Sequence, residues 1–419
     1  MSWLKKSRGR AFWGWVAALA LVFGWLGQGL AQSTSGQGLE SPPSGLFSPT
    51  QPAPVVAPPR PAALKGQKCS VRLMAVGDIL THSPLRNAAR RPEGGYDFTP
   101  YFEFVQPLFR QADLVIGNLE TPLAGAERGF GGYPSFNVPA ELAANLKSVG
   151  FTTLVVTNNH ALDRGWPGLA ATINNVEMAG LGYVGAYAGA TDKSRRLVSV
   201  YNGVMVGLLA YSYGFNGNPG PPQAEGWRLG YLANEEILDD LAEARRAGAD
   251  FVVVNLHFGE EYQRWPNARQ KELVGKILAG DPDRGLLGAD LVLGHHPHMA
   301  QPVWIGSRQG QTQLVAYSLG NFISNQFKPY TNLGFILDCV LTIDENGRGV
   351  IERVQVIPTI CHSYIAGRRR AYRVFPLAMA QDSPEKLPFL SQATLKKMVK
   401  LKVEMDSHLL SLTQDKATQ

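Results

Sequence analysis

From Cys69 onward the chain alternates short apolar runs with amphipathic stretches, and this rhythm limits the fold more than any other feature. The apolar runs occupy residues 71–76, 114–116, 153–156, 204–210, 251–256, 291–293 and 314–317. They are near-continuous in Val, Leu and Ile, as strands buried on both faces are. Apolar residues at helical spacing mark 139–149, 169–179, 234–247 and 268–278. Strand and helix signals in alternation predict an α/β domain with a largely buried sheet. After Gly334 the runs 335–343 and 351–357 lie closer together, as in a hairpin or meander.

Each of six strand-like runs ends in polar residues of the sort that bind metals. Gly77-Asp78 and His82 follow the first, and Asn118-Leu119-Glu120 the second. Asn158-Asn159-His160 follow the third, and His257-Phe258-Gly259-Glu260-Glu261-Tyr262 close the run 251–256. The run 291–293 leads into Gly294-His295-His296-Pro297-His298, and 314–317 into Ser318-Leu319-Gly320-Asn321-Phe322. Ligands at the carboxyl ends of strands in an open α/β sheet converge on one crevice. One histidine after a strand is ordinarily a hydrogen-bonding core residue, but a series of such endings is a site. His296 and His298, two apart, can point the same way from extended backbone and grip one ion.

The ligand types narrow the chemistry. Asp, Glu, Asn and imidazole with no cysteine nearby form a borderline-hard set suited to Mn, Fe or Zn. The candidates outnumber what a single tetrahedral site needs, so one or two divalent ions are expected. With two, in-line attack on phosphorus becomes available, and His160 is placed as the acid that protonates the leaving oxygen. Ser318 lacks the Gly-x-Ser-x-Gly elbow of a serine nucleophile. Gly320 and Asn321 are expected to shape a turn lining the pocket.

The series Gly-Asp, Asn-Leu-Glu, Asn-Asn-His, His-Phe-Gly-Glu-Glu-Tyr, His-Pro-His with Gln301, and Ser-Leu-Gly-Asn-Phe resembles the CapA family. These are the poly-γ-glutamate capsule biosynthesis proteins, a branch of the calcineurin-like metallophosphoesterases. The resemblance runs from about Val71 to Phe322 and implies an α/β fold, a sandwich of two β-sheets flanked by helices. It further implies Asp78, Glu120, Asn159, His257, His296 and His298 as metal ligands and His160 as the residue contacting substrate or leaving group. Asp163, Glu261, Tyr262 and His295 would support those ligands or face the substrate. Two departures stand out: the superfamily's Asp-x-His is absent, leaving His82 as a possible ligand four positions after Asp78, and Glu120 stands where a bridging Asp is usual.

The remaining segments frame this domain, residues 69–375. Residues 1–31 carry a basic start, an apolar run and small residues at Gly29-Leu30-Ala31, the pattern of a signal peptide or, if uncleaved, an N-terminal membrane anchor. An exported, extracytoplasmic protein, secreted or anchored, is expected. Residues 32–68 are rich in Pro, Ser and Gly and read as a disordered linker. Residues 376–419 form a helical appendage, with Leu395, Met398, Val399, Met405 and Leu409 on one side of a Lys-rich helix. That helix is expected to dock on the domain or a partner rather than on a membrane.

Of the net charge of +6, Lys5, Lys6, Arg8 and Arg10 supply four units, leaving +2 beyond residue 31. That balance points away from nucleic acid. Arg368-Arg369-Arg370 reads as a solvated loop. The three cysteines, Cys69, Cys339 and Cys361, allow at most one internal disulfide; Cys339–Cys361 is a possible pair, and buried free thiols are the expected state.

The leading functional expectation is an exported metal-dependent hydrolase acting in synthesis, export or anchoring of an anionic surface polymer. The resemblance implies membrane polymer-synthase subunits, with an ATP-dependent ligase, as partners. The alternatives are a non-catalytic polymer-binding or assembly subunit of that synthase, and a general periplasmic metallophosphodiesterase taking phosphoester substrates.

Overall fold

The computed structural model describes residues 68–232, 237–308 and 311–413. The expected signal or anchor and nearly all of the linker lie outside the described residues, as does the start of the 234–247 helix. The strands are β1 (Cys69–Ile79), β2 (Leu114–Leu119), β3 (Thr153–Val155), β4 (Gly182–Val184), β5 (Val198–Tyr201), β6 (Val204–Ser212), β7 (Phe251–His257), β8 (Leu291–His295), β9 (Val303–Arg308), β10 (Gln311–Ala316), β11 (Asn321–Ile323), β12 (Leu333–Ile343), β13 (Gly349–Ala366) and β14 (Arg369–Pro376). The helices are α1 (Ser83–Ala88), α2 (Gln106–Phe109), α3 (Glu141–Val149), α4 (Gly165–Met178), α5 (Ala190–Arg196), α6 (Ile237–Arg246), α7 (Ala268–Ala279), α8 (Met379–Asp382) and α9 (Gln392–Leu409).

The strands form two mixed sheets. In the first the order is β14-β13-β12-β1-β2-β3-β4, with β11 also paired to β1. Strands β1 to β4 run parallel, while β12, β13 and β14 form an antiparallel meander joined to β1. In the second the order is β5-β6-β7-β8-β10-β9, parallel except at the two edges.

Period-two alternation along each strand divides the core into layers. Val71, Leu73 and Ala75 of β1 pack with Val206 and Leu208 of β6, Val253 of β7 and Leu293 of β8, filling the space between the sheets. Met74 and Val76 point the other way, toward Leu142 and Leu146 of α3 and Leu169 and Ile173 of α4. On the far side, Leu209, Val252 and Val254 pack against Leu241 of α6 and Val274 of α7. The result is a four-layer arrangement in which helices cover both outer faces.

Helix α9 buries Leu395, Met398, Met405 and Leu409, with Val399 packed beside them, in the cluster between the sheets. The apolar stripe seen in the sequence is therefore satisfied within the chain. Among the described residues no helix is long and apolar enough to cross a membrane.

The possible Cys339–Cys361 disulfide does not form; both residues are buried free thiols, as expected. Cys339 pairs in register with Val354, seven residues before Cys361 on the same strand, a separation of about 23 Å at ~3.3 Å per residue. The two thiols also belong to different core layers.

Candidate metal centre

The carboxyl ends of β1, β2 and β3 from one sheet and of β6, β7 and β8 from the other meet at one buried cluster. Close backbone packing sets the approach. A Cβ on Gly77 would lie 1.8 Å from the Gly320 carbonyl oxygen, and one on Gly294 would lie 1.9 Å from that of Tyr317. Only glycine lets these strand ends come so near.

The first sheet delivers mostly oxygen. Asp78 is fully buried and accepts a hydrogen bond at 2.8 Å from the Asn118 side-chain amide. Burial would raise its carboxyl, but the imidazoles of His295 and His298 outweigh burial and hold it well below the ordinary range. Glu120, just past β2, is also fully buried, and neither of its oxygens has a hydrogen-bond partner among the described residues. Its Oε1 lies 3.5 Å from His257 Nε2 and its Oε2 lies 3.8 Å from His298 Nδ1. The Glu120 carboxyl thus stands between two histidines. Burial, with repulsion from Asp78 and Glu261, drives it well above the ordinary range.

The second sheet delivers imidazole. His257 ends β7, with Nε2 3.0 Å from Asn159 Oδ1 and Nδ1 3.2 Å from the Asn118 amide nitrogen. Past β8, His298 Nδ1 lies 3.1 Å from both Asp78 Oδ2 and Asn321 Oδ1. Burial lowers His257 well below its ordinary value, and burial with the nearby His298 lowers His296 to about 3. Both rings are therefore neutral at pH 7, the form that ligates a metal.

His296 and His298 reach the site differently from the expected extended pair. Their φ angles are +96° and +57°, so the loop reverses through the left-handed region rather than running straight. Such backbone costs on the order of 1–3 kcal/mol per residue and persists where surrounding contacts over-determine it. Here the Tyr262 amide donates to the Pro297 carbonyl at 2.8 Å, and the Phe258 amide donates to that of His295 at 3.1 Å.

Ligand atoms of Glu120, His296 and His298 all lie within 4.8 Å of one another, the spacing of a shared ion. The fit to a divalent cation rests on the donors themselves. Both Glu120 oxygens and the Nδ1 of His296 are buried without partners, and a buried polar group left so is costly unless something completes it. The set is carboxylate, amide and imidazole, which suits Mn, Fe or Zn.

The other expected residues take distinct places. His160 Nδ1 lies 2.8 Å from Asp163 Oδ2, and that same oxygen accepts from the Phe136 amide at 2.7 Å. His160 and Asp163 line a cavity of about 420 Å³ with Asn159, Glu261, Tyr133 and Asn216. His295 is buried beside Asp78, its Nδ1 at 3.6 Å from Oδ1. Asn321 also donates to the Thr331 carbonyl at 2.8 Å, which fixes its amide. Tyr262 packs its ring 6.1 Å from that of His298, and Lys328 Nζ sits 3.4 Å from the centre of the tyrosine ring. His82 precedes α1; its Nδ1 lies 3.1 Å from the Leu80 carbonyl and 3.3 Å from the Asn325 amide. It is not part of the Glu120 group.

Asn118 and Asn158, quoted in the sequence only as neighbours of Glu120 and Asn159, belong to the site, as do Tyr213 and Asn216, which the sequence did not mark. Tyr213, 44% exposed, lays its ring 4.6 Å from that of His296 and parallel to His257. The Asn216 amide is 3.2 Å from His160 Nδ1. Asn158 accepts from the His160 amide at 3.1 Å and donates to the Leu119 carbonyl at 2.9 Å. Tyr213 and Asn216 follow β6, the one strand of the six whose polar ending the sequence reading passed over.

Fold and site together define a mixed α/β protein of two mixed sheets, with a buried His/Glu group at their strand ends that could hold metal. The chain belongs to the family described as bacterial capsule synthesis protein PGA_cap, whose model matches residues 72–326. It is 30% identical over 273 residues to the PGA biosynthesis protein CapA of Bacillus subtilis (strain 168), covering 62% of this chain and 65% of that one. It is 31% identical over 260 residues to the capsule biosynthesis protein CapA of Bacillus anthracis, covering 60% and 59%. The chain thus spans just under two thirds of the length of these curated relatives. Among solved structures, the calcineurin-like phosphoesterase YfkN from Bacillus subtilis aligns over 81% of this chain and 98% of that one, at TM-score 0.40 and 12% identity. The NAD nucleotidase NadN of Haemophilus influenzae aligns over 81% and 61%, at TM-score 0.41 and 11% identity.

Proposed function

We propose that this chain is an exported protein of the CapA type that acts in synthesis, export or anchoring of an anionic surface polymer by metal-dependent hydrolysis. The observation that carries the hydrolytic reading is Glu120: a buried carboxyl with no hydrogen-bond partner among the described residues, one oxygen facing His257 and the other His298. Membership in the capsule synthesis family supports the polymer as the object of the chemistry. Asp78, Glu120, Asn159, His257, His296 and His298 would hold the ion or ions. When bound, such ions supply Lewis acidity and an activated water for attack on phosphorus or a carbonyl.

The chain's own residues supply the rest. The Asp163 carboxylate fixes a proton on His160 Nδ1 and sets the ring's orientation. Only the ring protonated on both nitrogens carries a proton on Nε2 to pass to the leaving group, the role of a positioned general acid. Phe136 packs its ring edge-to-face at 4.7 Å from His160 and keeps that imidazole from rotating away. The Asn216 amide at the same imidazole and the exposed face of Tyr213 give a substrate polar and aromatic surfaces to lie against.

The test is His160→Ala on the purified protein, assayed with a panel of model phosphoesters and with poly-γ-glutamate. The hydrolytic reading expects turnover to fall and bound metal to stay. A metal-loaded wild type that binds polyglutamate and cleaves nothing would assign it to an assembly subunit instead.

A further inference from the structure

Four arginines from two separate segments converge on one surface groove away from the metal cluster. Arg90 and Arg91 follow α1, and Arg369 and Arg370 open β14; together with Pro84 and Asn87 they line a cavity of about 570 Å³. The run Arg368-Arg369-Arg370, which reads as a solvated loop in sequence, is thus folded against a second basic segment. Arg91 pairs with Asp97 at 3.1 Å, and the Arg370 guanidinium donates to the Ser363 hydroxyl at 3.1 Å. Among the described residues no carboxylate pairs with Arg90, Arg369 or Arg370.

The groove stands on a fixed platform. Leu85 of α1 is fully buried, and the Tyr101 hydroxyl donates to its carbonyl at 2.6 Å. The Tyr101 ring in turn packs 5.7 Å from Tyr372 of β14, so both arginine segments are tied to one core. Guanidinium forks match carboxylates bidentately, and the two backbone segments that carry them are tied to one core.

We propose that this groove is a second binding site, for a flexible polycarboxylate chain, separate from the metal centre. The proposal rests on the polymer reading above. A nucleic acid fits poorly, because no aromatic ring lines the groove for base stacking. The position suits a guide for a long substrate: the six-residue helix α1 spans about 9 Å. One end of that helix meets His82 and the other meets the arginines. A chain held by the groove would have its neighbouring units near the metal cluster.

The experiment uses the full chain and fluorescently labelled polyglutamate of about 20 residues as probe, read by anisotropy at low salt. The triple variant Arg90→Ser/Arg369→Ser/Arg370→Ser removes exposed side chains only. It is expected to bind about tenfold more weakly, with a shallower salt dependence. A control, Lys271→Ser/Lys396→Ser/Lys400→Ser, removes the same charge from exposed positions elsewhere and is expected to bind as wild type. Unchanged affinity in the arginine variant, or an equal loss in the lysine control, overturns the site. Metal content measured on the same samples reports on the metal centre independently, so failure of the groove and failure of the hydrolytic reading are told apart.

Discussion

The two sheets make unequal contributions to the cluster where their strands end. The first sends Asp78, Asn118, Glu120 and Asn159, largely oxygen; the second sends His257, His295, His296 and His298, entirely imidazole. Burial acts on the two halves in opposite senses. It makes His257 and His296 neutral and ready to ligate, so these two rings of the second sheet's half are prepared at neutral pH without help. On the first sheet it penalises the charged form, and two carboxyls cannot both stay ionised there: Asp78 is held charged by His295 and His298 while Glu120 is pushed toward neutrality. The oxygen half therefore carries the unresolved electrostatics, and a cation is what would resolve it.

The sharpest way to separate the halves is to remove one residue from each. His296→Ala should abolish both bound metal and turnover, whereas His160→Ala should lower turnover by about 10²–10⁴-fold with metal retained. Elemental analysis beside a phosphodiesterase assay reads both. If His160→Ala also emptied the protein of metal, His160 would belong with the ligands and not with the proton chemistry.

The halves should also respond differently to acid. In chelator-treated protein, His296 titrates near 3 and His82 near 4 when folded, against about 6.5 unfolded. The unfolded chain binds more protons in that window. Stability should therefore rise with pH between about 4 and 6.5, by about 1.4 kcal/mol per pH unit for each fully titrating group. Denaturant melts at several pH values measure it, and a flat profile would show these rings to be solvated. Glu120 works with the opposite sign, since a raised carboxyl loses stability as pH climbs. Chelated Glu120→Gln should accordingly melt a few degrees above chelated wild type, though it should no longer take up metal. A lower melting temperature for that variant would mean the carboxylate is stabilised by something other than a cation.

Smallest is the contribution of Asn216, which shares His160 Nδ1 with Asp163. Asn216→Ala should lower turnover severalfold and leave metal content unchanged. Unchanged turnover would confine Asn216 to lining the cavity.

Much of this site could be read before the fold was seen, because polar residues at strand ends leave a local signature. Apolar runs that stop at Asp78, Glu120, His257 and His296 need no knowledge of the rest of the chain. The division of those strands between two sheets is a different matter. It depends on which face of β1 meets β6 across the core, a long-range fact that residues such as Leu73 and Val206 do not reveal locally. Strands β4 and β11 have three residues each and leave no periodicity to detect. The positive φ of His296 and His298 was invisible because these residue types ordinarily avoid it; the loop imposes it through Tyr262 and Pro297. Tyr213 was missed because a tyrosine after a strand is ordinarily core, and only the packed structure shows its ring against His296. The possible Cys339–Cys361 pair could not be decided from the sequence, since two cysteines in adjacent strands say nothing of register.

If both sheets together hold a divalent metal through Glu120, elemental analysis of the full chain and of Glu120→Ala, purified side by side without chelators, should show it. Stoichiometric Mn, Fe or Zn is expected in the wild type and none in the variant. A metal-free wild type, or metal retained when Glu120 is gone, would contradict it.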